Sequence, residues 1–498
     1  MKIKTIYHNL FGSFSNFAFL LFTGIILVPF YFKYISVDDY GIWLGGISFV
    51  SLLTVLEANI SLILTQKLAD KWTNKKPVEF SKYFSASIIF CLAISSIIII
   101  STFFLKDTLV NWVSSNLDTK DVFSKSFFFY SIALSLIILN SYLGAIPQVF
   151  LKTLMPPIFN IISSIIGIAY TIYAVSTQGV LAIALGSLIK PLIYLLFLSF
   201  YVLKLLNEKN IYFYFDIIYL KKLIKSIGLP LISKVGVTLT FNAQNFIVAA
   251  YITSTATTIF DITRKFPLII QTVINMVAVS TFTAFTLFYS EQRNSSDSNK
   301  YLDHFFSTIR VLMLASLLGI FLLGKDLITI WVGGDKYGGD LLFALLCLTA
   351  LTDQFRMMMS QQYYALGKFN LSSITDLIFS ILFIIVAFLL IPTYKLYGIP
   401  TAGIISAVIY IVLCFYLEKK NNINVISYLI NKKSLFNIFG IILISIMMKF
   451  SFENFIDNFF VKSLFTLIVV FILFLLFYLR KKSLIKFIFL KITNFKIK

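Results

Sequence analysis

Runs of apolar residues long enough to cross a lipid bilayer recur along the whole chain. One of them, FSASIIFCLAISSIIIISTFFL at residues 84–105, contains no charged side chain. A helix needs about 20 predominantly apolar residues to span the hydrocarbon core. Of the 498 residues, 59% are apolar and only 13% are charged, which is too little polar surface to cover a soluble protein. The sequence therefore predicts an all-α, polytopic membrane protein.

Fourteen segments have the length and hydropathy of transmembrane helices when windows of about 19 residues are averaged. They lie near residues 11–32, 42–64, 84–105, 126–148, 156–175, 180–203, 224–251, 257–288, 309–331, 341–366, 370–391, 398–417, 435–451 and 462–479. The first segment is not followed by a small-residue cleavage site, so it is interpreted as a helix and not as a signal peptide.

Basic residues are concentrated in alternate loops. One set of loops, which includes residues 65–83, 204–223 and the tail at 480–498, is rich in Lys and Arg, whereas the loops between them are not. Because basic loops remain on the cytoplasmic side, we expect a protein of the cytoplasmic (inner) membrane with both termini in the cytoplasm. Topology and contact with anionic lipids account for the net charge of +20, so no nucleic-acid partner is predicted.

Neither a cofactor nor a metal site is predicted. The loops are too short to hold a soluble catalytic domain, and the three cysteines, Cys91, Cys347 and Cys414, all lie inside predicted spans. Such an arrangement provides no disulfide framework, and no cluster of His, Cys and carboxylates has the spacing of metal ligands. Coupling of the protein to protons or sodium ions stays open at this stage.

A short motif occurs twice, as GVLAIALGSL from Gly179 and as GIPTAGIISA from Gly398. The two copies open the sixth and the twelfth predicted spans, and an offset of six spans gives both copies the same orientation in the membrane. Parallel repeats of this kind are typical of transporters. They predict two pseudo-symmetric six-helix lobes, at 1–205 and 206–418, followed at 419–498 by two additional transmembrane helices and a basic cytoplasmic tail.

Several charged residues lie inside predicted spans. A charge at the bilayer centre costs roughly 3 kcal/mol on insertion scales, so such residues normally face a bundle interior or a water-filled cavity. The basic ones are Lys190, Lys234, Arg264, Lys265 and Arg356, and the acidic ones are Glu57, Asp261, Asp353 and Asp376. Since basic residues prevail, we expect a cationic cavity that attracts an anionic ligand.

Helical spacing places some of these residues on shared faces. Lys234, Asn242 and Asn245 follow one face of the seventh span, and Asp353 can pair with Arg356 at i, i+3. The residues predicted to bind substrate are Lys190, Lys234, Arg264, Lys265, Arg356, Asn242 and Asn245, and those predicted to couple ions are Glu57 and Asp353. Structural roles stay open: a neutralised pair for Asp353 and Arg356, and snorkelling to the surface for Arg264 and Lys265.

Four segments carry a family resemblance. The stretch SNFAFLLFTGIILVPFYFKYISVDDYGIW at 15–43, which contains the acidic residue followed by Tyr-Gly, resembles the opening of the polysaccharide (O-antigen, Wzx-type) flippases of the multidrug/oligosaccharidyl-lipid/polysaccharide (MATE-like) exporter superfamily. LLTVLEANISLILTQKLA at 52–69 resembles a further family segment, with Glu57 for the usual aspartate and Asn59 for the usual glycine. IWVGGDKYGG at 330–339 and YYALGKFN at 363–370 resemble two more.

This resemblance implies a flippase that moves undecaprenyl-pyrophosphate-linked oligosaccharide repeat units across the cytoplasmic membrane by alternating access, for O-antigen, capsule or exopolysaccharide assembly. The implied partners are the lipid-linked glycan, membrane lipids and a polysaccharide polymerase. Three alternatives stay open. A cation-coupled multidrug (MATE-type) exporter would favour an acidic cavity, a membrane-embedded polymerase or glycosyltransferase would need an extensive outer loop, and a structural membrane protein would have little reason to bury Lys234.

Overall fold

The computed structural model describes residues 19, 23–57, 60–114, 119–226, 228–291, 296–366, 368–421, 440, 445, 447–452 and 458–471. Within these ranges every regular element is a helix, which confirms the predicted all-α membrane class. Eight stretches of the described chain are long and apolar enough to cross a membrane. The total of fourteen spans stays a prediction, since five of them lie partly outside the described ranges: 11–32, 42–64, 224–251, 435–451 and 462–479.

Fifteen helices follow one another along the described chain. They are α1 (23–31), α2 (Val37–Leu52), α3 (Ile60–Thr73), α4 (Pro77–Val113), α5 (Lys120–Leu143), α6 (Ala145–Val149), α7 (Met155–Gln178), α8 (Val180–Glu208), α9 (Ile217–Lys225), α10 (Gly228–Tyr251), α11 (Ser254–Glu291), α12 (Ser296–Val332), α13 (Asp340–Ala365), α14 (Phe369–Tyr394) and α15 (Gly398–Asn421). A shorter apolar helix covers Phe459–Phe471. The repeated motif opens α8 and α15, as the sequence predicts.

The predicted second span, 42–64, is wrong as a single helix, because it is divided into α2 and α3. The α-helix ends at Leu52 and gives way to a 3-10 turn at Leu53–Glu57. Glu57 then accepts hydrogen bonds from the backbone N–H of Ser61 at 3.2 Å and from its Oγ at 2.9 Å. A carboxylate at this place satisfies an otherwise unpaired donor in the first turn of α3, so Glu57 helps to start a new helix.

Glycines allow α2 to pack closely against α10 and against the start of α11. A methyl group on Gly41 would overlap the carbonyl of Ser254, and one on Gly45 would lie 2.5 Å from the Cβ of Ala249. Glycines four residues apart let helix backbones approach in membranes. The start of α2 is also bonded to the start of α11, where Thr258 Oγ1 donates to the carbonyl of Val37 at 2.6 Å.

Part of the predicted inner loop at 204–223 is helical. The amphipathic helix α9 begins after Asp216, whose carboxylate accepts from the N–H of Ile218 at 2.9 Å and from the ammonium of Lys82 at 3.0 Å. These two donors hold the pKa of Asp216 below its usual range. The aromatic segment before α9 is bonded to α4, since the N–H of Tyr214 donates to Ser85 Oγ at 2.9 Å.

The described residues form two compact units, the first comprising 1–261 and 376–384 and the second 262–375 and 385–498. In the second unit, the segments that follow α15 pack on α12 through Leu318, Leu322 and Phe452. Two ion pairs add to this contact: Lys449 Nζ lies 2.7 Å from Asp340 Oδ1 at the start of α13, and Lys462 Nζ lies 3.3 Å from Asp326 Oδ2 on α12. The division into lobes at 205 and 418 stays a prediction.

Candidate functional site

A polar pocket of about 450 Å³ lies within the first unit. Its walls come from α3, α5, α6, α7 and α8, and Lys190 of α8 contributes a half-buried ammonium group. The lining residues are Ser61, Thr65, Ile137, Asn140, Ser141, Gly144, Gln148, Asn160, Lys190, Pro191 and Tyr194. The volume falls within the ~300–1,000 Å³ that is typical of small-molecule sites.

Local sequence explains why Lys190 faces this pocket. Gly167 on α7 allows that helix to pack against the backbone of α8, because a methyl group there would lie 2.8 Å from the carbonyl of Gly186 and 3.1 Å from the Cβ of Lys190. Pro191 follows directly and lacks an N–H. Its carbonyl accepts a hydrogen bond from Asn140 Nδ2 on α5 at 2.9 Å, which fixes α8 against α5 beside the pocket.

The pocket is cationic. None of its described lining residues is acidic, and in the described part of the chain Lys190 forms no ion pair and no hydrogen bond. Glu57 ends the 3-10 turn before α3, and its carboxylate accepts a hydrogen bond from Ser61 Oγ at the edge of the pocket. An ammonium that is partly removed from water and lacks a carboxylate partner attracts an anionic group.

Arg356 has a different environment in the second unit. Its Nε donates to Asp353 Oδ1 at 3.2 Å, and Arg356 is only 2% exposed. The predicted i, i+3 pair on α13 is therefore confirmed. Because the carboxylate neutralises the guanidinium, this geometry favours a structural role for both residues over ion coupling by Asp353 or substrate binding by Arg356.

The predicted polar face of α10 takes part in contacts between helices. Asn242 Nδ2 donates to the carbonyl of Ser51 on α2 at 3.3 Å, and Asn245 Nδ2 donates to Asp261 Oδ1 on α11 at 3.0 Å. Asn245 and Asp261 are both buried. These amides join α10 to its neighbours within the first unit.

Three further predicted site residues lie on α10 and α11. Arg264 and Lys265 are half-buried on α11. Lys234 belongs to α10, but its side chain lies outside the described residues. The convergence of the basic side chains of both halves on one chamber stays a prediction.

Sequence reasoning identified Lys190 but missed the polar residues around it, above all Asn140, Gln148, Asn160 and Tyr194. Amides and hydroxyls are common near the ends of spans, so they do not stand out as charges do. The one available signal was Pro191, because a proline inside a span changes the backbone hydrogen bonding that neighbouring helices must satisfy.

Comparison with known proteins gives the fold. No protein-family model matches the chain, and no curated protein sequence matches it. A solved structure of the lipid II flippase MurJ in an inward closed conformation superposes with a TM-score of 0.73 and 19% identity, covering 96% of this chain and 100% of that one.

Two further solved structures have the same architecture. An inward-facing multidrug resistance MATE family transporter of the MOP superfamily gives a TM-score of 0.63 at 14% identity, covering 81% of this chain and 98% of its own. A MOP superfamily transporter from Pyrococcus furiosus, noted for the reverse polarity of its binding pocket, gives 0.57 at 14% identity, covering 86% and 97%. The chain therefore has the fold of MOP superfamily transporters.

Proposed function

We propose that this protein is a flippase that moves undecaprenyl-pyrophosphate-linked oligosaccharide repeat units across the cytoplasmic membrane by alternating access, for O-antigen, capsule or exopolysaccharide assembly. The observation that carries the proposal is the Lys190 pocket: a half-buried ammonium among polar groups, with no acidic residue among the described lining. The fold that the chain shares with a lipid II flippase over nearly its whole length supports the same conclusion.

The chemistry of the substrate explains why such a pocket is needed. A pyrophosphate and its sugars cannot cross hydrocarbon unaided, since burying unpaired polar and charged groups is costly. A wet cationic pocket replaces part of their hydration while the lipid tail stays in the bilayer. Of the other residues predicted from the sequence, Lys234, Arg264, Lys265, Asn242 and Asn245 stay candidates for substrate binding, and Glu57 is the candidate for proton or sodium coupling.

Alternating access requires a contact that closes one side of the protein, and the packing of α2 against α10 is the candidate. Helices α2 and α10 fall in different predicted lobes, yet Gly45 of α2 packs closely against Ala249 of α10. At the start of α2, Asp38 accepts hydrogen bonds from Ser254 and Thr255. The predicted loop orientation puts this end at the outer surface. Opening of the seam between α2 and α10 would release the substrate to the outer leaflet.

A multidrug exporter is the alternative with the same fold. It would place carboxylates in its cavity to attract cationic drugs, whereas the pocket described above presents an ammonium and the described acids Glu57 and Asp353 already accept hydrogen bonds or form an ion pair. The comparison structures are transporters, and the polymerase or glycosyltransferase alternative receives no support from them.

Deletion of the gene tests the proposal in the cell. Lipid extracts of the deletion strain are expected to contain a stranded undecaprenyl-pyrophosphate-linked glycan, and the corresponding glycan is expected to be missing from the surface. Complementation with the intact chain should restore both. A normal surface glycan together with increased sensitivity to cationic drugs would contradict the proposal and favour the exporter.

A further inference from the structure

Three aliphatic hydroxyl groups in the Lys190 pocket already donate their protons to acceptors of the protein. Thr65 Oγ1 donates to the carbonyl of Ser61 at 2.9 Å, Ser61 Oγ donates to Glu57 Oε1 at 2.9 Å, and Ser141 Oγ donates to the carbonyl of Ile138 at 2.7 Å. A hydroxyl group has one proton and two lone pairs. These three groups therefore offer a ligand only acceptor sites.

Asn140 adds another acceptor, deeper in the wall. Its Nδ2 donates to the carbonyl of Pro191 at 2.9 Å, and the residue is only 5% exposed. Its Oδ1 has no hydrogen-bond partner among the described residues. Since a buried acceptor without a donor is costly, a ligand that brings a donor to this atom gains affinity from it.

Four groups supply donors in the same pocket. Lys190 supplies an ammonium, Gln148 and Asn160 supply amides, and Tyr194 supplies a phenolic hydroxyl. An ionised pyrophosphate accepts hydrogen bonds but donates none, so it would be served by Lys190 while facing the acceptors of Thr65 and Asn140. A sugar ring matches the pocket better, because every hydroxyl group both donates and accepts.

From this inventory we infer that the Lys190 pocket is a glycan subsite, which holds one sugar ring of the transported headgroup by its hydroxyl groups and places Lys190 against an anionic substituent of that ring. The substituent is either a phosphate ester or a carboxylate. The inference rests on the proposed flippase function and assigns a substrate class to its pocket. The pocket volume of about 450 Å³ accommodates a single sugar ring with its substituent.

Binding of soluble probes to the purified full-length protein in detergent tests the subsite. Calorimetric titration would compare glucose 1-phosphate, glucuronate, methyl glucoside and inorganic pyrophosphate. Glucose 1-phosphate or glucuronate is expected to bind about tenfold more tightly than methyl glucoside, because only the anionic sugars engage Lys190. Which of the two binds better identifies the substituent. Inorganic pyrophosphate that binds as tightly as the better sugar would overturn the inference in favour of a plain phosphate site.

Two matched pairs of variants locate the binding. Thr65→Val removes a pocket acceptor and is expected to lower the affinity for the anionic sugars about two- to tenfold. Thr73→Val is the control: Thr73 lies on the same helix and its hydroxyl also donates to the carbonyl four residues back, but it lies outside the pocket. Lys190→Gln should lower the affinity for the anionic sugars to that for methyl glucoside. Lys204 is exposed on the same helix, and Lys204→Gln should leave the affinities unchanged.

Thermal unfolding of each variant separates loss of binding from loss of fold. Equal effects of Thr65→Val and Thr73→Val, or no binding of any sugar to the intact protein, would overturn the subsite. Neither result bears on whether the deletion strain accumulates a lipid-linked glycan, so failure of the subsite and failure of the flippase function are distinguishable.

Discussion

Lys190 and Arg356 are both basic residues in predicted membrane spans, yet their surroundings differ between the two halves of the chain. Arg356 has Asp353 one turn earlier on α13, and the pair is closed at 3.2 Å with Arg356 almost fully buried. Lys190 has no acid on its own helix within reach and faces a polar pocket. A charge in a span is therefore a functional signal only when the surrounding helices leave it uncompensated.

Asp353→Asn should produce the largest effect, because it removes the carboxylate charge that pairs with the buried guanidinium of Arg356. We expect the free energy of unfolding to fall by about 3–5 kcal/mol, measured by thermal unfolding in detergent. The matched control is the double variant Asp353→Leu with Arg356→Leu, which removes both charges and should recover most of the loss. If Asp353→Asn is as stable as the parent, the pair is not structural and Arg356 becomes comparable with Lys190.

The backbone offers a second comparison of the halves. Gly179 ends α7 at φ 54° and ψ −127°, and Lys395 ends α14 at φ 48° and ψ −125°. Only glycine adopts this conformation without strain, so Gly179→Ala should lower the free energy of unfolding by about 1–3 kcal/mol, while Lys395→Gly should raise it by about 1 kcal/mol. Thermal unfolding measures both. Changes of opposite sign in the free energy of unfolding would support equivalent turns after α7 and α14. A Lys395→Gly variant that is less stable than the parent would contradict this equivalence.

Gln148→Glu would make the first half resemble the second by adding a carboxylate to the Lys190 pocket. Affinity for an anionic sugar should fall about fivefold, which corresponds to about 1 kcal/mol of competing charge. Calorimetric titration provides the measurement, and Gln148→Ala is the control for loss of the amide. If Gln148→Ala lowers the affinity for the anionic sugar as much as Gln148→Glu does, the loss of the amide and not the added charge explains the effect.

The smallest effect is expected for Lys190→Leu on stability. Since no described residue forms an ion pair or hydrogen bond with the ammonium, its removal leaves no orphaned partner, and the free energy of unfolding should change by less than about 1 kcal/mol. Thermal unfolding under the conditions used for Asp353→Asn gives a direct contrast. Destabilisation as large as that of Asp353→Asn would show that Lys190 is a structural residue.

The sequence predicts the fold class well because apolar length is a local property. It does not predict the division of the second span, since that depends on Glu57 bonding Ser61 at the start of α3. Helix α9 was also missed, because its nine residues are stabilised by contacts with α4 and not by apolar length.

The candidate site was only partly predictable. Membrane depth alone selects Lys190, and i, i+3 spacing alone selects the pair of Asp353 and Arg356. The acceptor on Asn140 depends on the carbonyl of Pro191, 51 residues away in the chain. Contacts over such distances are set by helix packing, which single-sequence periodicity does not specify.

Reconstitution tests the central claim most directly. The purified chain would be placed in liposomes that carry undecaprenyl-pyrophosphate-linked glycan, and the rate at which the glycan becomes accessible on the opposite leaflet would be compared for the parent, Lys190→Gln and Lys204→Gln. We expect the parent and Lys204→Gln to accelerate translocation equally and Lys190→Gln to be slower by about tenfold or more, as for a lost charge-assisted hydrogen bond. Equal rates for Lys190→Gln and Lys204→Gln, or no acceleration by the parent, would contradict the account.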